Sequence, residues 1–207
     1  MIISYLGKEF VKISQGDLVI AVNPISKDSK YSGKVARFGA AIALSTTDHP
    51  DYNGIETVTY GDNAPVAITG AGEYEVKDIF IRGNMTRTTI GGKEFVTTMY
   101  SFGVENISIA FLGPLSVMPK VEELEGVESP DILFIAFGDG LLDAATAYKL
   151  AVKLEPGIII PIDCDEKSLK AFLKEAGEER VEPVEKLTLK KKDLDGKEGD
   201  VVVLSHE

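Results

Sequence analysis

Histidine, cysteine and long apolar runs are scarce in this chain of 207 residues, and each scarcity excludes something. No apolar stretch approaches the roughly 20 residues that cross a bilayer, so no membrane partner is expected. Residues 1–4 lead straight into strand-like sequence without a basic segment and an apolar core, so the sequence predicts no signal peptide. The lone cysteine, Cys164, excludes an intramolecular disulfide and fits a reducing, cytoplasmic compartment. Cations are also in the minority: 22 Lys and Arg face 33 Asp and Glu, a net charge of −11, which opposes binding to nucleic acid or anionic lipid. There is no P-loop, no G-x-G-x-x-G and no C-x-x-C, so nucleotide cradling and dithiol chemistry have no motif to rest on. Only two histidines are present, His49 and His206, and the second is next to last.

What is abundant is strand-forming sequence. With 44% hydrophobic residues the chain has enough apolar material for a core, and it is expected to form one domain over residues 1–207. Residues 18–22 and 42–44 are short apolar runs of buried-strand length, and 56–60, 74–76 and 79–81 are rich in β-branched and aromatic residues. Lys77-Asp78 and Gly91-Gly92 read as tight turns, the second between two threonine-rich stretches. After residue 106 the pattern changes to strand, short helix at 119–124, strand at 131–137, helix at 141–154 with Asp139 as its N-cap, strand at 158–162, and a helix capped by Asp165. Residues 188–189 and 201–204 are expected to pair as terminal strands. A strand-rich first half followed by strand–helix–strand–helix predicts two sheets packed face to face with helices outside, not a doubly wound parallel sheet.

Three segments could carry chemistry. In Thr47-Asp48-His49-Pro50-Asp51, a buried strand opens into a loop with an imidazole between two carboxylates. Neutral His49 with Asp48 or Asp51 would supply nitrogen and oxygen to a metal, or His49 and Asp51 could act as a general base pair. The same residues are good turn formers. In Ile162-Asp163-Cys164-Asp165, Asp163 could face the same cleft, while Asp165 reads as a helix cap and Cys164 as a small buried residue. Phe137-Gly138-Asp139-Gly140 could present amides to an anion or simply cap a helix.

These segments, in their order, resemble the small metallo-β-lactamase-fold proteins described as metal-dependent hydrolases. Residues 3–7 and 18–24 are similar to the family's first strands, 41–52 to its strand and His-x-His-x-Asp-His loop, 68–76 to its Pro-Gly-Glu-Tyr-Glu stretch, and 107–113 and 130–163 to its later strands. The resemblance implies an α+β fold, an αββα sandwich of two mixed sheets with the active cleft along one edge. It also implies a ligand set this chain does not carry. Thr47 and Tyr52 stand where histidines belong, Asn23 replaces the aspartate of the Asp-Pro step, Pro114 stands at the bridging aspartate, and Asp163 replaces the last histidine.

The remaining candidate metal ligands are Asp48, His49, Asp51 and Asp163, richer in oxygen than nitrogen. No cofactor is expected beyond one weakly bound divalent cation. Two function classes follow: a non-catalytic binding or scaffold protein that keeps the sandwich, and a hydrolase with a remodelled single-cation site in which His49 and Asp51 act. A small-molecule ligand and self-association are both compatible with either. On the resemblance, Asn23, Thr47, His49, Asp51, Pro114 and Asp163 should gather at one sandwich edge, each just past the C-terminal end of a strand.

Overall fold

Aliphatic and β-branched runs too short for helices set the strands of the computed structural model, which describes residues 1–127, 129–178 and 180–206. The first sheet is built from β1 (Ile2–Tyr5), β2 (Val11–Gln15), β3 (Leu18–Val22), β4 (Ile42–Leu44) and β5 (Val66–Ile68), with β12 (Lys186–Thr188) on its edge in the order β12-β1-β2-β3-β4-β5. The second contains β6 (Gly72–Val76), β7 (Ile79–Ile90), β8 (Lys93–Val104), β9 (Ile107–Phe111), β10 (Ile132–Ala136), β11 (Ile158–Ile162) and β13 (Asp200–Val201), in the order β13-β11-β10-β9-β8-β7-β6. Both sheets are mixed. β3, β4 and β5 run parallel, as do β9, β10, β11 and β13, whereas β1–β2–β3 and β6–β7–β8–β9 are antiparallel.

The sandwich follows from which faces are apolar. Ile3, Ile13, Ile20, Val22, Ile42 and Leu44 of the first sheet pack against Ile81, Tyr100, Phe102, Ile109, Phe111, Phe134 and Ile160 of the second, all nearly inaccessible to water. The outer face of the second sheet is covered by α1 (Ala144–Lys153) and α2 (Glu166–Glu175), through Ala147, Leu150, Ala151 and Phe172. Over the outer face of the first sheet lie the chain between β3 and β4 and a 3-10 turn at Ile55–Val58, where Phe10, Ile25 and Val58 are buried.

Both predicted turns form: Lys77 and Asp78, and Gly91 and Gly92, all have positive φ, as mirror-image hairpin turns require. Three local expectations are corrected. Residues 56–60 are not a strand, because the Thr57 hydroxyl donates to the Gly54 carbonyl (2.7 Å) and that of Thr59 to Ile55 (3.1 Å), side-chain bonds that close a 3-10 turn instead. The cap of α1 is Asp143, whose carboxylate accepts the Thr146 amide at 3.0 Å, and Asp139 lies in a separate Gly-Asp-Gly turn. The terminal strands do not pair with each other: β12 joins β1 and β13 joins β11, so the end of the chain is shared between the sheets. Among the described residues no helix is long and apolar enough to cross a membrane.

Candidate functional site

Parallel strands that end at the same edge of a sheet leave their following residues together. Asn23 follows β3, residues 45–54 follow β4, Gly113 and Pro114 follow β9, Gly138 and Asp139 follow β10, and Asp163 follows β11. Opposite them, the tight turn from β1 to β2 is closed by Leu6 N–H donating to Phe10 O (2.8 Å) and Phe10 N–H donating to Gly7 O (2.9 Å). That turn carries Lys8 and Glu9, which the sequence argument missed.

Lys8 is the centre of the arrangement. Its ammonium stands 3.6 Å from Asp163 Oδ1 and 4.0 Å from Asp51 Oδ2. The Asp51 carboxylate also accepts from the Ser29 hydroxyl (2.5 Å) and comes within 3.9 Å of His49 Nδ1. That distance is too long for a hydrogen bond, and His49 Nδ1 accepts the Asp51 backbone N–H at 3.2 Å instead. A neutral His49 therefore carries its proton on Nε2. The ring is held by Tyr52 and edge-on by Phe95, at centroid distances of 5.7 and 5.6 Å. Lys8, Asp51, Tyr52 and Asp163 line a cleft of about 250 Å³ together with the Thr89–Gly91 hairpin tip and the Gly138–Gly140 loop.

Beneath Lys8, Glu9 is fully buried. Its Oε2 accepts the Asn23 side-chain N–H at 2.9 Å, and Oε1 has no hydrogen-bond partner. The other end of the Asn23 amide accepts the Thr46 backbone N–H at 2.8 Å, which fixes the orientation of the amide. An aspartate at this position could not donate to Glu9. Burial, reinforced by the nearby Asp163 charge, raises the Glu9 carboxyl well above the usual carboxylate range. Asp163 is also raised, first by burial; Lys8 opposes the rise, and Asp51 and Asp139 add to it. Repulsion between the cleft carboxylates is therefore present but secondary to burial. Burial likewise raises the hydroxyls of Tyr5 and Tyr52 and pushes the Cys164 thiol up to about 12, which leaves it unreactive at neutral pH.

Three of these residues are held in left-handed backbone conformations without being glycine: Lys8 (φ 51°), Asn23 (φ 49°) and Asp163 (φ 45°). Such conformations persist only where surrounding contacts enforce them, and they concentrate at functional sites. For Asp163 one such contact is its N–H donating to the Tyr5 hydroxyl at 3.0 Å. His206, set aside in the sequence argument for its terminal place, stacks on Tyr5 with ring centroids 6.2 Å apart.

Asp51 and Asp163 thus flank Lys8, His49 approaches Asp51, and Asn23 is bonded to Glu9. Asp48 is exposed and accepts from the Asn53 side chain at 2.8 Å, a turn contact. The Thr47 hydroxyl donates to that of Thr97 across the seam between the sheets, at 2.7 Å. A Cβ at Gly113 would come within 3.0 Å of Thr46 and 3.1 Å of the Thr97 hydroxyl, so the chain entering buried Pro114 passes close against this pair. Among the described residues, no group of three His, Cys, Asp or Glu side chains stands close enough together to hold a metal ion. A wider groove of about 600 Å³ lies on the second sheet, lined by Asp78, Phe80, Arg82, Phe102 and Glu105.

The sequence profile of the beta-lactamase superfamily domain matches residues 2–163. The chain belongs to this family. Its fold is that of a candidate Zn-dependent hydrolase of the metallo-β-lactamase superfamily from Thermotoga maritima, with a TM-score of 0.78 at 21% identity over 100% of this chain and 99% of that one. A candidate metal-dependent hydrolase from Parabacteroides distasonis aligns with a TM-score of 0.65 at 17% identity over 99% of this chain and 93% of that one. Igni18, a metallo hydrolase from Ignicoccus hospitalis, gives 0.60 at 15% identity over 91% and 99%. No curated protein matches the chain.

Proposed function

We propose that this member of the superfamily is a non-catalytic binding protein whose cleft does not assemble a hydrolytic metal centre. The observation that carries this reading is the ammonium of Lys8, which faces both Asp51 and Asp163, the two best-placed carboxylates of the candidate ligand set. A cation-coordinating pair would have to exclude that ammonium. The nitrogen donors point the same way: His49 Nδ1 is committed to a backbone N–H, and Thr47, Tyr52, Asn23 and Pro114 offer no imidazole or carboxylate at the positions where the resemblance implies ligands. The residues present therefore do not fit a two-zinc site. Without a metal to activate it, water is far too weak an acid to supply hydroxide at neutral pH. His49 is also a poor substitute base, since its Nε2 bears the proton and the Asp51 carboxylate does not bond to Nδ1.

The second reading, a hydrolase using one divalent cation, rests on the 3.9 Å approach of His49 to Asp51 beside a cleft of ligand size. One experiment separates the two. Protein purified without chelator is expected to carry well below one zinc per chain and to leave lactam, phosphodiester and thioester substrates at background rates. Near two zinc per chain, or turnover abolished by His49→Ala in a folded protein, would overturn the proposal.

A further inference from the structure

Asn53-Gly54 is the one asparagine–glycine step in the chain. Asparagine is thermolabile, and glycine gives its own backbone nitrogen the least steric cover, so at this step the side-chain amide is most open to attack by the following residue. In the fold both reacting groups are tied. The Asn53 side-chain N–H donates to Asp48 Oδ1 at 2.8 Å, and the Gly54 N–H donates to Pro24 O at 2.7 Å. Asn53 is half-buried and Gly54 buried, and a Cβ at Gly54 would lie 2.3 Å from backbone atoms of Ile25 and Ser26. Further bonds close this joint between the loop after β4 and the segment after β3. Ser26 N–H donates to Pro50 O at 2.8 Å, and Glu56 accepts from the Ser26 hydroxyl at 2.8 Å and the Lys27 N–H at 3.0 Å.

We propose that Asn53 is a self-modification site that this joint holds shut. When the joint opens, the Gly54 nitrogen loses its proton and attacks Asn53 Cγ. A C–N bond forms to close a succinimide, the Cγ–Nδ2 bond breaks, and the side-chain nitrogen leaves with a proton as ammonia. Water then opens the ring, giving aspartate or, by cleavage at the other carbonyl, isoaspartate with a main chain one carbon longer. In the closed joint a nitrogen whose proton is held by Pro24 cannot turn its lone pair on Cγ. Conversion also changes the joint. A carboxylate replaces the donor that Asn53 offers Asp48, and the added main-chain carbon has no room where Gly54 meets Ile25. A transient opening is thereby made lasting.

The test follows conversion by peptide mapping, read as the exchange of NH for O at Asn53, during incubation at mildly alkaline pH. Folded wild type is expected to convert at least about tenfold more slowly than the chain unfolded in urea, because reaction waits for local opening. Glu56→Ala removes two bonds of the joint, leaves Asn53 and Gly54 untouched, and is expected to convert several-fold faster than wild type. Asp165→Ala, a change at a distant helix cap, is expected to convert at the wild-type rate. Folded wild type converting at the unfolded rate overturns the proposal. So does a Glu56→Ala rate equal to wild type, and so does equal acceleration in both variants, which would mean that global unfolding exposes Asn53. Should Glu56→Ala not fold, amide exchange of the wild type decides. The Gly54 N–H is expected to exchange at least about tenfold more slowly than in the unfolded chain, and exchange at the unfolded rate overturns the proposal.

Discussion

Asp163 and Asp165 are one residue apart, yet one belongs to the cleft and the other to a helix cap, and their carboxyls shift in opposite directions. Asp163 follows β11, faces Lys8 and is raised by burial. Asp165 points into solvent, accepts the Ser168 amide at 2.9 Å and hydroxyl at 2.8 Å, and is lowered by those bonds. The backbone differs as well: the cap residue has extended φ and ψ of −75° and 164°, whereas Asp163 is left-handed at φ 45°. The helix cap satisfies the rules of local structure; the cleft violates them. Such violations mark places where a fold keeps a group for reasons other than stability.

The linkage between protonation and folding differs in sign between the two regions. Glu9 and Asp163 bind protons more tightly in the fold than in the open chain. Their contribution to stability is full below the unfolded carboxyl pKa near about 4 and is lost as pH rises from there through their raised folded values. Asp131 and Asp165 are lowered, so they add stability above about pH 4 that is lost as pH falls through their folded values.

The largest expected effect tests the buried side of this contrast. Glu9→Gln keeps an acceptor for Asn23 and removes the ionisable group, so urea denaturation should find it more stable than wild type by about 1–3 kcal/mol at pH 8. The gap should close towards pH 4; a gap independent of pH would mean that Glu9 does not titrate with folding. A smaller effect separates charge from backbone at Asp163. Asn tolerates the left-handed conformation and Ala does not, so Asp163→Ala should be less stable than Asp163→Asn by about 1 kcal/mol at pH 7. Equal stabilities would show that φ costs nothing there. The smallest concerns the cap: Asp165→Ala should lower the melting temperature by about 2 °C at pH 7, with the difference from wild type shrinking as pH falls through the lowered folded value of the cap carboxyl.

The sandwich was readable because its core strands are nearly unbroken aliphatic runs, and residues 132–136 and 158–162 admit no other use. Asp163 follows such a run directly, whereas His49 and Asp51 lie in the loop that begins after β4. Lys8 and Glu9 were not readable, for a physical reason. In Gly7-Lys8-Glu9-Phe10, two adjacent charges after a glycine look like a solvated turn, and nothing local says that a long-range contact buries the glutamate. The one signal was Asn23, an amide where the resemblance implies a carboxylate: a donor there implies a nearby acceptor. The pairing of β12 and β13 was hidden for a related reason, since strands of three and two residues carry too little pattern to name their partners. Asp139 looked like a cap because Gly-Asp-Gly before a helix is the usual form, but Asp143 begins a capping bond four residues later.

The hydrogen bond from Asp163 N–H to the Tyr5 hydroxyl joins residues 158 positions apart. A cleft floor made this way has the highest kind of contact order: the chain must close a very long loop before the contact forms. Neither the strands that contain residues 1–22 nor those that contain residues 79–111 can organise the pocket alone. The charged pocket therefore cannot close before β11 docks beside β1, and it opens whenever the two sheets part.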